Sequence, residues 1–561
     1  MKGKKTSKAD PATIEIIGNL LLSIAEEMGA ALIRSAYSSN IKERKDCSTA
    51  VFDAAGRMVA QAEHIPMQLG SMLTIIAEIY QRYPAKTIKE GDMFIANDPY
   101  HGGGTHLPDI TVAAPVFVGK KLMAWVANIA HHSDVGGKVP GSTSGDAISI
   151  YQEGIRIPPV KFCQDGLIIR EIRDLILLNC RTPQERTGDL QAQVAANKVG
   201  IKRLLDVYKK YGTDFGFYIE ELLNYTEKRL KADIKKISNG VYYFKDYMDN
   251  DGINPQKVPI AVEITVQEEH ISFDFSRSSK QVAGPINVTM NGLYATVFYS
   301  LKALIDPDIP SNSGIYRVFD LIVPEGLIVN SVAPAPVGER IDTCMRVVDV
   351  IIGAMAQAIP DRVIAACNGA CTTGTFSGID PRTNEFFVYL ETIGGGLGAS
   401  SQSDGMNGVQ VHLTNTSNLP IEALEIEYPL MVERYMLRRD SGGAGEYRGG
   451  LGIRRDIKTL AEDITFSALA DRQEIPPWGL KGGMAGKSGA YYHISSGQQS
   501  KLSSKTSNQR LKQGDIISIQ TPGSGGYGHP QKREKEAVCR DIIEGKISRT
   551  SAEKDYGVKL D

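Results

Sequence analysis

With 561 residues, 42% of them hydrophobic and 23% charged, the chain has ordinary globular composition and length for roughly two to four packed domains, which excludes a disordered chain. A formal net charge of −2 with no basic stripe argues against nucleic-acid binding, and no run of about 18 apolar residues marks a membrane span. Seven cysteines, odd in number and widely spaced (Cys47, Cys163, Cys180, Cys344, Cys367, Cys371 and Cys539), fit a reducing, cytoplasmic setting better than a disulfide framework.

The start, MKGKKTSKADPATIEI, is basic but has no apolar core before a cleavage site, so no signal peptide is expected. Residues 11–37 carry apolar side chains at helical spacing. Ile17, Leu20, Leu21, Ile24, Met28, Ala31 and Leu32 share one broad face, with Asp10 as N-cap and Pro11 at the first helical position. CSTAVFDAAGRMVAQAE then reads as strand, turn and strand around Asp53–Gly56, and residues 68–83 as helix. MFIANDP, DITVAAPVFV and KLMAWVANIA read as strands. That places NDPYHGGGTHLPDI, residues 97–110, in a loop between strands, and HHSD at the end of another.

Residues 183–237 read as helical scaffold. Past Gly240, GVYYFKDYMDNDG and VPIAVEITVQEEHISFDFS alternate like antiparallel strands, which sets a domain boundary near 238. NGLYATVFYSLKALI and RVVDVIIGAMAQAI read as helices. Beyond about 430 the chain turns glycine-rich and strand-like, and from Gln531 it ends in a short charged helix. The expected fold class is mixed α and β, multi-domain. It comprises an N-terminal metal-binding domain (1–238), a central α/β domain (239–430) and a C-terminal strand-rich domain (431–561).

Four of the nine histidines lie between residues 101 and 132. His106 and Asp109, spaced H-x-x-D, offer nitrogen and oxygen in one loop that Pro108 stiffens. The segment from Asp109 to His131 is long enough for a hairpin returning to its starting level, which would bring His131 to the same place. Two imidazoles and a carboxylate suit a borderline divalent ion such as Zn, Mn or Fe, with a position left open for a water acidified to a pKa of about 7. His132 and Asp134, beside this set, are candidates for orienting ligands or moving protons, and Asp98 and His101 for lining the pocket. Gly102, Gly103 and Gly104 suit unusual backbone angles better than a phosphate cradle. GGMAGKS, residues 482–488, ends like a P-loop, but Lys481 stands where its first glycine belongs. The two cysteines of CNGAC, 367–371, read as buried thiols and not a zinc knuckle, since no second pair lies nearby.

Taken together, NIKERKDCSTAVFDAAGRMVAQAEHIPMQLGSM, GDMFIANDPYHGGGTHLPDI, HHSDVGG, FDFSRSSKQVAGPIN and PGSGGYG resemble the hydantoinase B/oxoprolinase family over about residues 10–530. That family holds B subunits of ATP-dependent N-methylhydantoinases, half of 5-oxoprolinase, caprolactamase subunits, and large subunits of acetone and acetophenone carboxylases. The resemblance implies one divalent metal ion, Zn or Mn or else Fe, on His106, Asp109 and His131, with Asp46 of the KERKD segment as a further ligand. It also implies a hydantoinase A-type ATPase partner, in a heterodimer or a larger heteromer such as α2β2. The partner binds ATP and phosphorylates the amide oxygen, and this chain then opens the C–N bond with metal-bound water, inactive by itself. Two other roles are the large subunit of a ketone carboxylase and a non-catalytic scaffold with a structural metal.

Overall fold

The computed structural model describes residues 10–62 and 64–559; the basic start before Asp10 lies outside them. Helix α1 (Pro11–Ser35) begins as its sequence dictates, with the Asp10 carboxylate accepting a hydrogen bond from the Thr13 N–H at 3.3 Å. By length and apolar composition α1 could cross a membrane. Its stripe of Ile17, Leu21, Ile24, Met28 and Leu32 is buried inside the protein instead. A short α2 (Ser39–Lys42) leads into the first sheet.

That sheet contains β1 (Cys47–Asp53), β2 (Met58–Gln61), β3 (Met93–Ala96), β4 (Asp109–Val118), β5 (Lys121–His131), β6 (Val160–Gln164) and β7 (Leu167–Ile168). Their order is β2-β1-β5-β4-β3-β6-β7, antiparallel throughout. The β1–β2 turn forms at Asp53–Gly56, where the Asp53 carboxylate accepts from the Ala55 and Arg57 N–H groups. The helix expected over 68–83 is shorter. Helix α3 (Ile75–Arg82) starts after a turn at Gly70, whose Cα is pressed so close to Ala295 that a Cβ would sit 2.6 Å from the Ala295 Cα.

After α4 (Arg170–Leu178), helices α5 (Pro183–Tyr211) and α6 (Phe215–Ile234) fill the stretch read as helical. Helix α5 packs on α1 and on β4 and β5. Buried amides join these layers: Asn128 donates to the Gln193 carbonyl, and Gln193 donates to the Ile110 carbonyl, both at 2.8 Å.

The second sheet runs β11-β10-β9-β8, built from β8 (Gly240–Met248), β9 (Val258–Gln267), β10 (His270–Asp274) and β11 (Phe319–Ile322). Only β10 and β11 pair in parallel there. Helices α7 (Met290–Leu304) and α8 (Arg340–Met355) pack together, α8 lying on β8 and β9. One apolar core joins them to the first sheet, running from Phe52, Phe94 and Trp125 to Phe298, Val348 and Leu413.

Two further sheets follow. One has the order β13-β12-β16-β19, from β12 (Thr372–Asp380), β13 (Glu385–Ile393), β16 (Ile464–Leu469) and β19 (Lys505–Leu511). The other, β14-β15-β20-β17-β18, uses β14 (Leu430–Leu437), β15 (Ile453–Thr459), β17 (Ala490–Ser495), β18 (Gln498–Leu502) and β20 (Ile516–Gln520). Residue 430 therefore falls between strands that share a sheet: Phe376 of β12 faces Phe466 of β16 across the ladder. The charged tail forms two helices, Lys535–Ile543 and Arg549–Tyr556, where one was expected.

Candidate metal centre

The β4–β5 hairpin sets the site. Its register places Asp109 directly opposite His131, at the first residue of one strand and the last of the other. His106 comes from the loop before β4. Asn97 ties that loop down, donating to the Leu107 and Ile155 carbonyls at 2.8 and 2.9 Å and accepting from the Ile157 N–H at 2.7 Å. Gly104 takes a positive φ of 87°, and a Cβ there would lie 3.0 Å from the Asp109 Cβ. Its freedom lets the loop fold tightly over Asp109.

The ligand atoms of His106, Asp109 and His131 all lie within 4.8 Å of one another, and all three residues are buried. His106 Nε2 is 3.3 Å from Asp109 Oδ1, and the two imidazole rings are 5.0 Å apart. Each member is oriented from outside. His106 Nδ1 faces the Gly338 carbonyl at 3.3 Å, so that nitrogen carries the proton and Nε2 keeps its lone pair. Asp109 Oδ2 receives Arg340 Nη2 at 3.0 Å, and Arg340 Nε also donates to Thr105 at 2.9 Å. Asn40 Nδ2 donates to the His131 carbonyl at 2.6 Å and lies 3.2 Å from its Nδ1.

Burial lowers the pKa of both imidazoles, and the Arg340 guanidinium adds to this. Burial alone would raise Asp109, but His106 and Arg340 outweigh it and hold the carboxyl well below its usual range. Neutral imidazoles beside an ionised carboxylate are the states in which all three can donate lone pairs to a cation. The residues fit a metal on a further count: His106 Nε2 is buried with no hydrogen-bond partner, which leaves its lone pair for a cation.

These three side chains face a cavity of about 70 Å³. Asp46 lines it too, although it stands outside the tight trio. Its main-chain carbonyl accepts from the His131 N–H at 3.0 Å, and burial pushes its carboxyl up to about 7. Other lining residues come from far along the chain: Glu339, Arg340, Cys371, Thr373, Thr414 and Thr416. No spacing motif pointed to these residues, because each sits more than two hundred positions from the hairpin.

The four remaining candidates do not line this cavity. Successive strand residues point to opposite faces, so His132 turns away from His131 and toward α5, with Nε2 3.1 Å from Gln193 Oε1. Asp134 is a loop clasp, accepting from the Gly136 and Gly141 N–H groups and from Arg181 at 2.8 Å. Asp98 caps the Tyr100 N–H and pairs with Arg156 at 2.7 Å. His101 is exposed. All four shape or border the loops around the site without facing its interior. The P-loop-like GGMAGKS segment carries no helix; strand β17 follows it.

A family model described as hydantoinase B/oxoprolinase matches residues 10–530. An uncharacterised Methanocaldococcus jannaschii protein, MJ0963, is 42% identical over 98% of this chain and 96% of its own length. The B subunit of a putative D-/L-hydantoinase from a Pseudomonas species is 34% identical over 99% of this chain and 96% of its own. Among solved structures, the ATP-dependent caprolactamase of Pseudomonas jessenii is similar with a TM-score of 0.92 at 28% identity, covering 99% of this chain and 97% of that one. An acetone carboxylase in a nucleotide-free structure shares the fold at a TM-score of 0.91 and 18% identity, covering 100% of this chain and 81% of that one.

Proposed function

Since the chain belongs to the hydantoinase B/oxoprolinase family, we propose that it is the ring-opening component of an ATP-dependent cyclic-amide hydrolase, working in the cytoplasm with a hydantoinase A-type partner. The observation that carries the reading is the trio His106, Asp109 and His131, set in a cavity wall with their ligand atoms within 4.8 Å of one another. Relatives named as the B component of a hydantoinase, or as an ATP-dependent caprolactamase, support the cyclic-amide class and the need for a partner. The partner uses ATP to phosphorylate the amide oxygen, which makes an unreactive carbonyl carbon electrophilic.

A divalent ion on His106, Asp109 and His131, with Asp46 near enough to join, would supply Lewis-acid polarisation and an acidified water. This chain's own residues do the rest. Arg340, held between Thr105 and Asp109, presents positive charge beside the reacting centre and favours the phosphate carried by the activated oxygen, which leaves as inorganic phosphate once water has replaced it in the ring-opened acid. Thr373 and Thr414 line the cavity and already donate to the Cys371 carbonyl and Gln410 Oε1, which leaves their hydroxyl oxygens to accept from a ring N–H. Glu339 is the proton source for the departing nitrogen. Its carboxyl is buried in the cavity wall with neither oxygen hydrogen-bonded, burial holds its pKa well above the usual range, and the Lys505 ammonium 3.6 Å away stabilises the carboxylate left once the proton is given up.

The test uses the chain co-purified with its A-type partner. ATP is supplied with a panel of hydantoins, 5-oxoproline and larger lactams, and separately with ketones and labelled bicarbonate. Ring-opened product formed in step with ADP supports the reading. Label entering an acid product from a ketone would replace it with a carboxylase.

A further inference from the structure

We propose that Asp349, Cys367 and His412 form a second metal site, for a soft divalent ion of the zinc class, which braces the wall of the first cavity. The three residues come from α8 and from two separate loops, and all are buried. Their ligand atoms lie within 4.8 Å of one another, as in the first trio. His412 Nε2 and Asp349 Oδ1 are 3.3 Å apart, the same separation as His106 Nε2 and Asp109 Oδ1. Two ligands at about 2.0 Å from a tetrahedral ion are separated by about 3.3 Å.

The surroundings hold each donor in place. The Gly398 N–H donates to Cys367 Sγ at 3.4 Å and fixes the sulfur's position. Arg472 Nη2 takes Asp349 Oδ2 at 2.6 Å, which leaves Oδ1 turned toward His412. His412 adopts a left-handed backbone with φ of 50°, a conformation that a residue with a side chain keeps only when its surroundings demand it. That backbone turns the ring inward, against Tyr299.

The donor set separates the two sites. The first offers nitrogen and oxygen alone, whereas the second adds a thiolate, which selects zinc or cobalt over magnesium or manganese. All three of its residues are buried and none lines the cavity beside the first trio, which sets this site apart from the reacting centre. Each ligand-bearing segment continues into the first cavity's wall. Arg340 opens α8, Cys371 follows Cys367 by four residues, and Thr414 follows His412 by two. An ion here pins three wall segments to one point.

The competing state is metal-free, with a proton kept on His412. Burial opposes the charge on His412, but the Cys367 sulfur and the Asp349 carboxylate outweigh it and push its pKa well above the ordinary range. A metal would take the place of that proton.

The experiment is metal analysis of the full chain, purified without chelator, followed by reconstitution with Co²⁺. Two equivalents of metal are expected in the native chain. Asp109→Asn removes one and Cys367→Ser the other. The cobalt form should show a thiolate-to-cobalt charge-transfer band that survives Asp109→Asn and Cys371→Ser and is absent from Cys367→Ser. Cys371 is the control because it lines the first cavity. If Cys367→Ser fails to fold, the native and Cys371→Ser cobalt spectra still decide. One equivalent of metal with no charge-transfer band, or a band lost in Cys371→Ser, overturns the proposal.

Discussion

Two buried trios, His106–Asp109–His131 and Asp349–Cys367–His412, are alike in compactness and differ in what they face. The first borders a cavity also lined by Arg340, Glu339 and several threonines, so a substrate can meet it. The second is enclosed by backbone and by the Arg472 guanidinium. The contrast teaches that clustered donors show where an ion can sit, while the space beside them shows whether chemistry can follow.

The comparison breaks most easily at the first trio. Asp109→Asn or His106→Ala should remove its metal and lower turnover of the partnered complex by more than the ~100-fold typical of losing an outer-shell contact. Protein without that metal but with normal turnover would make the first trio structural, like the second. Arg340→Gln, which leaves every ligand in place, should cost about 10–100-fold in metal affinity or in turnover, measured by metal titration and steady-state rates.

At the second trio the effect should fall on stability. Asp349→Ala leaves the fully buried Arg472 without one of its two carboxylate partners, at a cost of about 3–5 kcal/mol in unfolding experiments, with a smaller loss of turnover per folded complex than Asp109→Asn causes. A large loss of turnover without loss of stability would erase the distinction between the two sites.

Glu153 sharpens the comparison through pH. It accepts the Val337 and Gly338 N–H groups and so positions the carbonyl that orients His106. Burial pushes its carboxyl up to about 8, against roughly 4.3 in an unfolded chain. The folded state therefore holds a proton that the unfolded state has released. Its stabilising contribution is complete below about pH 4.3 and is lost as pH rises toward 8, by up to about 1.4 kcal/mol per pH unit. Melting temperatures of the full chain from pH 5 to 8 should fall for this reason, and Glu153→Gln should flatten that part of the slope. The smallest effect belongs to His132→Gln. Its partner is Gln193 on α5, so it should cost about 1 kcal/mol of stability and spare the metal and the rate.

The sequence made the hairpin legible because its signals are local. H-x-x-D and two strand-like runs long enough for a returning hairpin predict that Asp109 and His131 meet, and the register places them opposite each other. The mixed α and β fold and the first helix were legible for the same reason, from periodicity and an N-cap. The direction of His132 was also open to reading, since strand parity sends neighbours 131 and 132 to opposite faces. The wall was not legible. Arg340 reaches Asp109 across 231 positions, and only tertiary packing makes them neighbours. The second trio was hidden likewise. Cys367 was read with Cys371 because they are close in sequence, yet it meets Asp349 and His412 through the folding of α8 against two loops.

The central claim is that the first trio, and not the second, carries out ring opening on a substrate activated by the partner. The most direct measurement is a single-turnover reaction of the purified two-subunit complex with ATP and the cyclic amide it accepts, comparing native chain with Asp109→Asn in complexes of equal assembly. The account predicts that Asp109→Asn loses the first metal and forms no ring-opened product, while the second metal and the assembly survive. Ring opening at the native rate by the variant lacking that metal would contradict it.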